Sequence, residues 1–84
     1  MLKNLEDLIS LARERKKNPK DNSYTNKLLN DITLSKSKVL EEINELIEAI
    51  EKDSNKIHEA ADVFYHLLIY LEANNIKIEE VMEE

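Results

Sequence analysis

Four acidic residues stand at spacings that can do chemistry. Glu42 and Glu45 are three apart, and so are Glu59 and Asp62. On a helix, residues three apart sit one turn apart on one face, so each pair presents its carboxylates together. Two such helices facing each other bring four oxygen-bearing groups to one point. Carboxylates at a few ångströms raise each other's pKa and cannot all stay ionised and unpaired. A hard divalent cation removes the conflict. Mg²⁺ takes oxygen ligands octahedrally and keeps waters and substrate phosphates in its shell; Mn²⁺ suits the same donors. Glu42, Glu45, Glu59 and Asp62 are therefore the candidate metal ligands.

The helices that must carry these residues are legible in the apolar periodicity. Residues 2–17 place Leu2, Leu5, Leu8, Ile9 and Ala12 at helical spacing, the stripe of an amphipathic helix. Its end is basic, Arg13 to Lys17, which suits the negative helix terminus, and Asn18-Pro19 stops it. Residues 20–22 read as loop. Ser23 or Thr25 caps a shorter helix through Tyr24, Leu28, Leu29 and Ile32, with a break or kink at Ser35-Lys36-Ser37. A third helix is expected from about Ser37 to Lys52, with Val39, Ile43, Leu46, Ile47 and Ile50 on one stripe. Asp53-Ser54 connects it to a fourth helix over about 55–73, with Ser54 as its N-cap. Asn74-Asn75 supplies a left-handed end, and a last short helix spans about 77–82. The expected fold is all-α: an antiparallel bundle of four to five helices forming one domain over residues 1–84.

The fourth helix is unusual. Ile57, Ala60, Ala61, Val63, Phe64, Leu67, Leu68, Ile69 and Leu71 run almost all the way round it, so burial on nearly every side is expected. Its polar residues Glu59, Asp62 and His66 fall in one narrow stripe. Acids sit on such a helix when they are paired or bind metal. On the third helix, a run of glutamates taken alone is simply a solvated face. His66 lies four residues beyond Asp62 and is open to three readings: a partner of the ligands, a substrate contact, or a satisfied core or interface histidine.

Composition removes other classes. The chain of 84 residues has no Cys and no Gly. That excludes disulfides, thiolate metal sites and cysteine nucleophiles, and also phosphate loops built on glycine. A net charge of −6 argues against nucleic acid as a partner. No apolar run approaches the roughly 20 residues that span a bilayer, and no signal region opens the sequence. No membrane partner and a cytoplasmic location are expected. A chain this small buries only about 60% of its unfolded surface, so self-association into a homodimer or higher homo-oligomer is expected.

The segments EExxE and ExxD, here Glu41-Glu42-Ile43-Asn44-Glu45 and Glu59-Ala60-Ala61-Asp62, resemble the signature of the all-α nucleoside triphosphate pyrophosphohydrolases, the MazG-like superfamily. The finer resemblance is to its phosphoribosyl-ATP pyrophosphatase family. Arg15-Lys16-Lys17-Asn18-Pro19 and Ser23-Tyr24-Thr25 with Lys27-Leu28 resemble that family's RKxNP and SYTxKL segments. Lys38-Val39, the stretch from Glu59 to Leu68, and Asn75 to Val81 resemble KVGEEAxE, EAADLLYHLL and GIDLEDV. Three family glycines are replaced, by Asn22, Leu40 and Asn75, and around Leu40 the sequence reads more like the MazG-type pattern.

The resemblance implies Mg²⁺-dependent hydrolysis of the α–β phosphoanhydride of 1-(5-phosphoribosyl)-ATP, giving phosphoribosyl-AMP and pyrophosphate, the second step of histidine biosynthesis. It also implies a dimer and a nucleotide as the small-molecule substrate. Glu41 would act at the catalytic water or a further metal. An acidic protein needs cations for an anionic substrate. Lys38, one turn before Glu42, comes first, then Lys27, with Arg15 in the basic run. By the resemblance to the SYT segment Tyr24 and Thr25 would touch base or ribose; loop packing and capping is the other reading of both. A MazG-type pyrophosphohydrolase of nucleoside or deoxynucleoside triphosphates is the alternative substrate reading. A non-catalytic helical dimerisation module is the alternative of another class.

Overall fold

The computed structural model describes residues 3–20 and 22–84. Leu2, expected on the first apolar stripe, and Asp21, expected in the following loop, lie outside the described residues. The chain forms five helices: α1 (Lys3–Lys17), α2 (Tyr24–Asn30), α3 (Ile32–Glu51), α4 (Lys56–Ala73) and α5 (Ile78–Glu83). No strand occurs among the described residues. The fold is all-α, as the periodicity predicts.

The second and third helices divide earlier than expected. The break falls at Asp31, and Ser35-Lys36-Ser37 lies inside a continuous α3. Asp31 accepts a hydrogen bond from the Leu34 amide at 3.0 Å, satisfying one of the amides a helix start leaves unpaired. Ser35 is almost wholly buried, so it belongs to the packed side of the helix. Ile32, assigned by its stripe to the second helix, opens the third. Ser23 caps α2 as expected, accepting from the Asn26 amide.

The α3–α4 connection is made without glycine. Asp53 and Asn55 both adopt positive φ, 52° and 60°, in the left-handed region where Asp and Asn are tolerated best after Gly. The Asp53 amide bonds the Ile50 carbonyl and the Ser54 amide the Ala49 carbonyl, the double closure of a Schellman end. Ser54 is therefore not the N-cap of α4. Its amide closes α3, and Asn55 takes the cap position without a side-chain cap bond. The same closure ends α4: Asn75 is left-handed at φ 61°, and the Asn75 and Ile76 amides bond the Glu72 and Leu71 carbonyls.

The short connection returns α4 along α3, and these two helices share the largest interface in the molecule. The core lies beside it, where Ala12 of α1, Leu28 and Leu29 of α2 and Ile69 of α4 meet, flanked by Leu8, Leu34, Tyr65 and Ala73. Ile69 and Leu28 are fully buried, each contributing about 1.5–3 kcal/mol by removal from water. α4 is not covered all round within one chain. Ile57 is 87% exposed and Phe64 65%.

Candidate metal centre and substrate site

The α3–α4 interface positions the predicted acids. Ligand oxygens of Glu42, Glu45 and Glu59 come within 4.8 Å of one another. His58, Glu59 and Asp62 form a second group within the same limit. Glu59 belongs to both, so the four predicted residues, joined by His58, fall into two overlapping triads rather than one cluster. His58 was not anticipated. It stands four residues before Asp62, the spacing that drew attention to His66 on the other side, and its Nε2 lies 3.4 Å from Asp62 Oδ2.

Two carboxylate oxygens decide what this site can hold. Glu42 is only 8% exposed, and its Oε2 is sealed from solvent without a hydrogen-bond partner among the described residues. Glu59 Oε2, on the facing helix, is in the same state. Unpartnered buried carboxylate oxygens are costly. Burial, followed by the charge of Glu45 and then that of Asp62, pushes the Glu42 carboxyl above the usual carboxylate range. Hard oxygen donors from two helices, two of them with free lone pairs, suit a divalent cation such as Mg²⁺ or Mn²⁺.

The expected substrate residues divide. Lys38 lies one turn before Glu42 but pairs with Glu41, at 3.2 Å, and that bond raises its pKa. Glu41 is exposed and Lys38 half-buried. Tyr24, at the start of α2, is close enough to feel Lys38, Glu41 and Glu42, and burial, the largest influence, raises its hydroxyl pKa. Its ring stacks on Tyr65 at 6.3 Å and remains half exposed. Thr25 is buried and bonded to the Tyr65 hydroxyl, so it packs α2 on α4. His66 is buried too, with both ring nitrogens engaged, by Tyr24 Oη at 2.9 Å and the Asp62 carbonyl at 2.8 Å. Neither is open to substrate in this conformation. Arg15 is half-buried, with its Nε sealed and unpartnered among the described residues. Lys27 is exposed. Neither is among the charges that bear most on Glu42.

A model of the family described as phosphoribosyl-ATP pyrophosphohydrolase matches residues 3–84. The chain belongs to that family. Among curated proteins it is similar to the phosphoribosyl-ATP pyrophosphatase of Clostridium acetobutylicum, 43% identical across 95% of this chain and 76% of that protein. It is also similar to the phosphoribosyl-ATP pyrophosphatase of Methanocella arvoryzae, 36% identical across 95% of this chain and 90% of that protein. The histidine biosynthesis bifunctional protein of Pyrococcus furiosus is 39% identical over the full chain, which spans 39% of that longer protein. No solved structure is a significant match. In this phosphoribosyl-ATP pyrophosphohydrolase family member no helix among the described residues is long and apolar enough to cross a membrane.

A second ionic cluster went unread in the sequence. Arg13, within a run that looked like helix-end complementarity, donates from Nε and Nη2 to Glu72 Oε1 at 3.1 and 3.0 Å. It also holds Glu79 of α5 through two bonds, at 2.9 and 2.6 Å. Lys16 donates to the Glu72 carbonyl and to Asn75 Oδ1. Glu72 is a single acid far along an apolar helix, and nothing local in the sequence marks Arg13 as its partner 59 positions away.

Proposed function

We infer that this chain hydrolyses 1-(5-phosphoribosyl)-ATP at its α–β phosphoanhydride, adding water and releasing phosphoribosyl-AMP and pyrophosphate, as a step of histidine biosynthesis. Family membership supports the substrate. The observation that carries the chemistry is the pair of sealed, unpartnered oxygens of Glu42 and Glu59 on facing helices. With Glu45 and Asp62 they would hold Mg²⁺, with Mn²⁺ as a substitute. Such a cation neutralises phosphate charge and polarises the phosphoryl group toward a water.

The remaining roles fall to the chain's own side chains. Lys38 offers a positive charge at the rim of an acidic site. An incoming phosphate competes with Glu41 for it, and solvent-screened pairs of this kind are weak. Glu41, once released, is a carboxylate able to accept a hydrogen bond from a water. The half-exposed Tyr24 ring offers a flat surface to base or ribose. Lys27 and Arg15 are further cations on the same substrate's approach.

The exposed apolar residues of α3 and α4, among them Ile43, Ile47, Ile57 and Phe64, would be covered by a second copy, making the working form a homodimer. A cytoplasmic location goes with a free nucleotide substrate. Turnover of phosphoribosyl-ATP with Mg²⁺, read as pyrophosphate released, tests the activity, and sedimentation velocity on the same preparation tests the dimer. Hydrolysis of deoxynucleoside triphosphates with none of phosphoribosyl-ATP would move the assignment to MazG-type chemistry. A monomer at micromolar concentration would remove the dimer.

A further inference from the structure

His66 is the one polar residue of the α4 stripe that faces none of the exposed surface, being 7% exposed. Its Nδ1 lies 2.8 Å from the Asp62 carbonyl oxygen. A carbonyl only accepts, so Nδ1 carries the proton, and in the neutral ring Nε2 is then an acceptor. Opposite Nε2, at 2.9 Å, stands the Tyr24 hydroxyl, which donates to it. The three rings of Tyr24, Tyr65 and His66 close on one another, His66 meeting Tyr65 edge-on at 5.0 Å and Tyr24 at 5.8 Å. Thr25, next to Tyr24, bonds the Tyr65 hydroxyl. α2 is only seven residues long and too short to hold its own geometry. Its first turn is fixed to α4 by these two hydroxyl bonds.

We infer that His66 is a positioning residue: fixed as its Nδ1–H tautomer by the Asp62 carbonyl, it holds the Tyr24 hydroxyl and so sets the Tyr24 ring beside Lys38 and the carboxylate centre. It acts on substrate only through Tyr24. This rests on the pyrophosphohydrolase reading for its kinetic consequence, and on the geometry alone for its tautomer. Losing one neutral hydrogen bond of this kind changes binding by about two- to tenfold.

The experiment has two arms. In the first, ¹⁵N-edited NMR of the wild-type protein at about pH 8.5, where an imidazole is neutral, should show the His66 proton on Nδ1. Tyr24→Phe should shift the Nε2 resonance and leave Nδ1 in place. A proton on Nε2, or an Nε2 signal indifferent to Tyr24→Phe, would overturn the inference whatever the protein hydrolyses. In the second arm, His66→Asn keeps a donor for the Asp62 carbonyl but no acceptor for Tyr24, and His66→Gln keeps the acceptor. His66→Asn and Tyr24→Phe should each raise KM for phosphoribosyl-ATP about fivefold with kcat within twofold, and the double variant should be no worse than either. His66→Gln should lose much less. Additive KM effects, or a loss confined to kcat, would show that His66 does not act through Tyr24. A wild-type protein inactive on phosphoribosyl-ATP but with the Nδ1–H tautomer would sink the substrate and leave the tautomer standing; the kinetic arm is then read with the triphosphate it does hydrolyse.

Discussion

Two buried glutamates, a few turns apart in the same bundle, sit in opposite circumstances. Glu72 of α4 is 5% exposed, with Arg13 on one oxygen and Lys16 within 3.8 Å of the other. Glu42 of α3 is 8% exposed, with two further acids as neighbours and one oxygen bonded to nothing among the described residues. Burying a carboxylate is costly in both places. At Glu72 the fold itself supplies the compensating charge, and the result ties α1, α4 and α5 together. At Glu42 the charges of Glu45 and Asp62 add to the cost, and in the function proposed above a bound cation would supply the compensation. The two acids are told apart by the sign of their neighbours, not by their burial.

Neutralising the two acids should therefore have opposite effects. Glu42→Gln should lower pyrophosphatase activity at least about 100-fold, more than the loss typical of a residue that merely supports a ligand. In EDTA it should melt no lower than wild type, and the stabilisation wild type gains from Mg²⁺ should vanish. That gain is about 2.7 kcal/mol at a hundredfold excess over Kd. A Glu42→Gln protein that melts much lower in EDTA would mean Glu42 is structural, and the contrast would collapse. Glu72→Gln should destabilise by about 2 kcal/mol, less than for a fully buried pair because Arg13 is one-third exposed. Its Mg²⁺ response should survive.

The smallest effect is the dependence on pH, and its sign differs between the two regions. Arg13 holds the Glu79 carboxyl down at about 2 from an ordinary 4.5. Its share of stability is present above 4.5 and is lost as pH falls toward 2. Glu42 is raised above the same ordinary value. Its share is present below 4.5 and is lost as pH rises through its raised pKa. In metal-free thermal melts, Glu79→Gln should differ from wild type near neutrality and converge with it in acid. Glu42→Gln should flatten the decline that wild type shows as pH rises above 4.5. Parallel curves for the two variants would contradict the assignment of both.

Much of this was legible in the sequence because it repeats at helical period. The five helices, the acid pairs on α3 and α4, and the left-handed Asn75 all follow from spacing within one element. What stayed hidden crosses elements or turns on competing caps. Asp31 outcompeted the serines at 35 and 37 as the start of α3, although either residue type caps a helix. Arg13 and Glu72 meet only after folding. Spacing leaves Thr25 and His66 open between substrate contact and packing, and folding settles them on packing, bonded to each other's helices through Tyr65 and Tyr24. Reading α4 as apolar all round was sound for its composition, but a single chain leaves Ile57 and Phe64 uncovered.

The glycine-free turn over residues 52–55 limits how a chain of this kind can change in length. Its closure uses the Asp53 and Ser54 amides and two left-handed backbone positions, Asp53 and Asn55, leaving no slack residue to delete and no room to add one without re-aiming α4. Within the helices, one inserted residue turns everything beyond it by about 100°, enough to swing Glu45 or Asp62 out of its triad. From Asp31 to Ala73 the molecule behaves as a fixed-length ruler. Changes of length should be better tolerated beyond Glu79, past the Asn75 turn and the Arg13 bonds that hold α5.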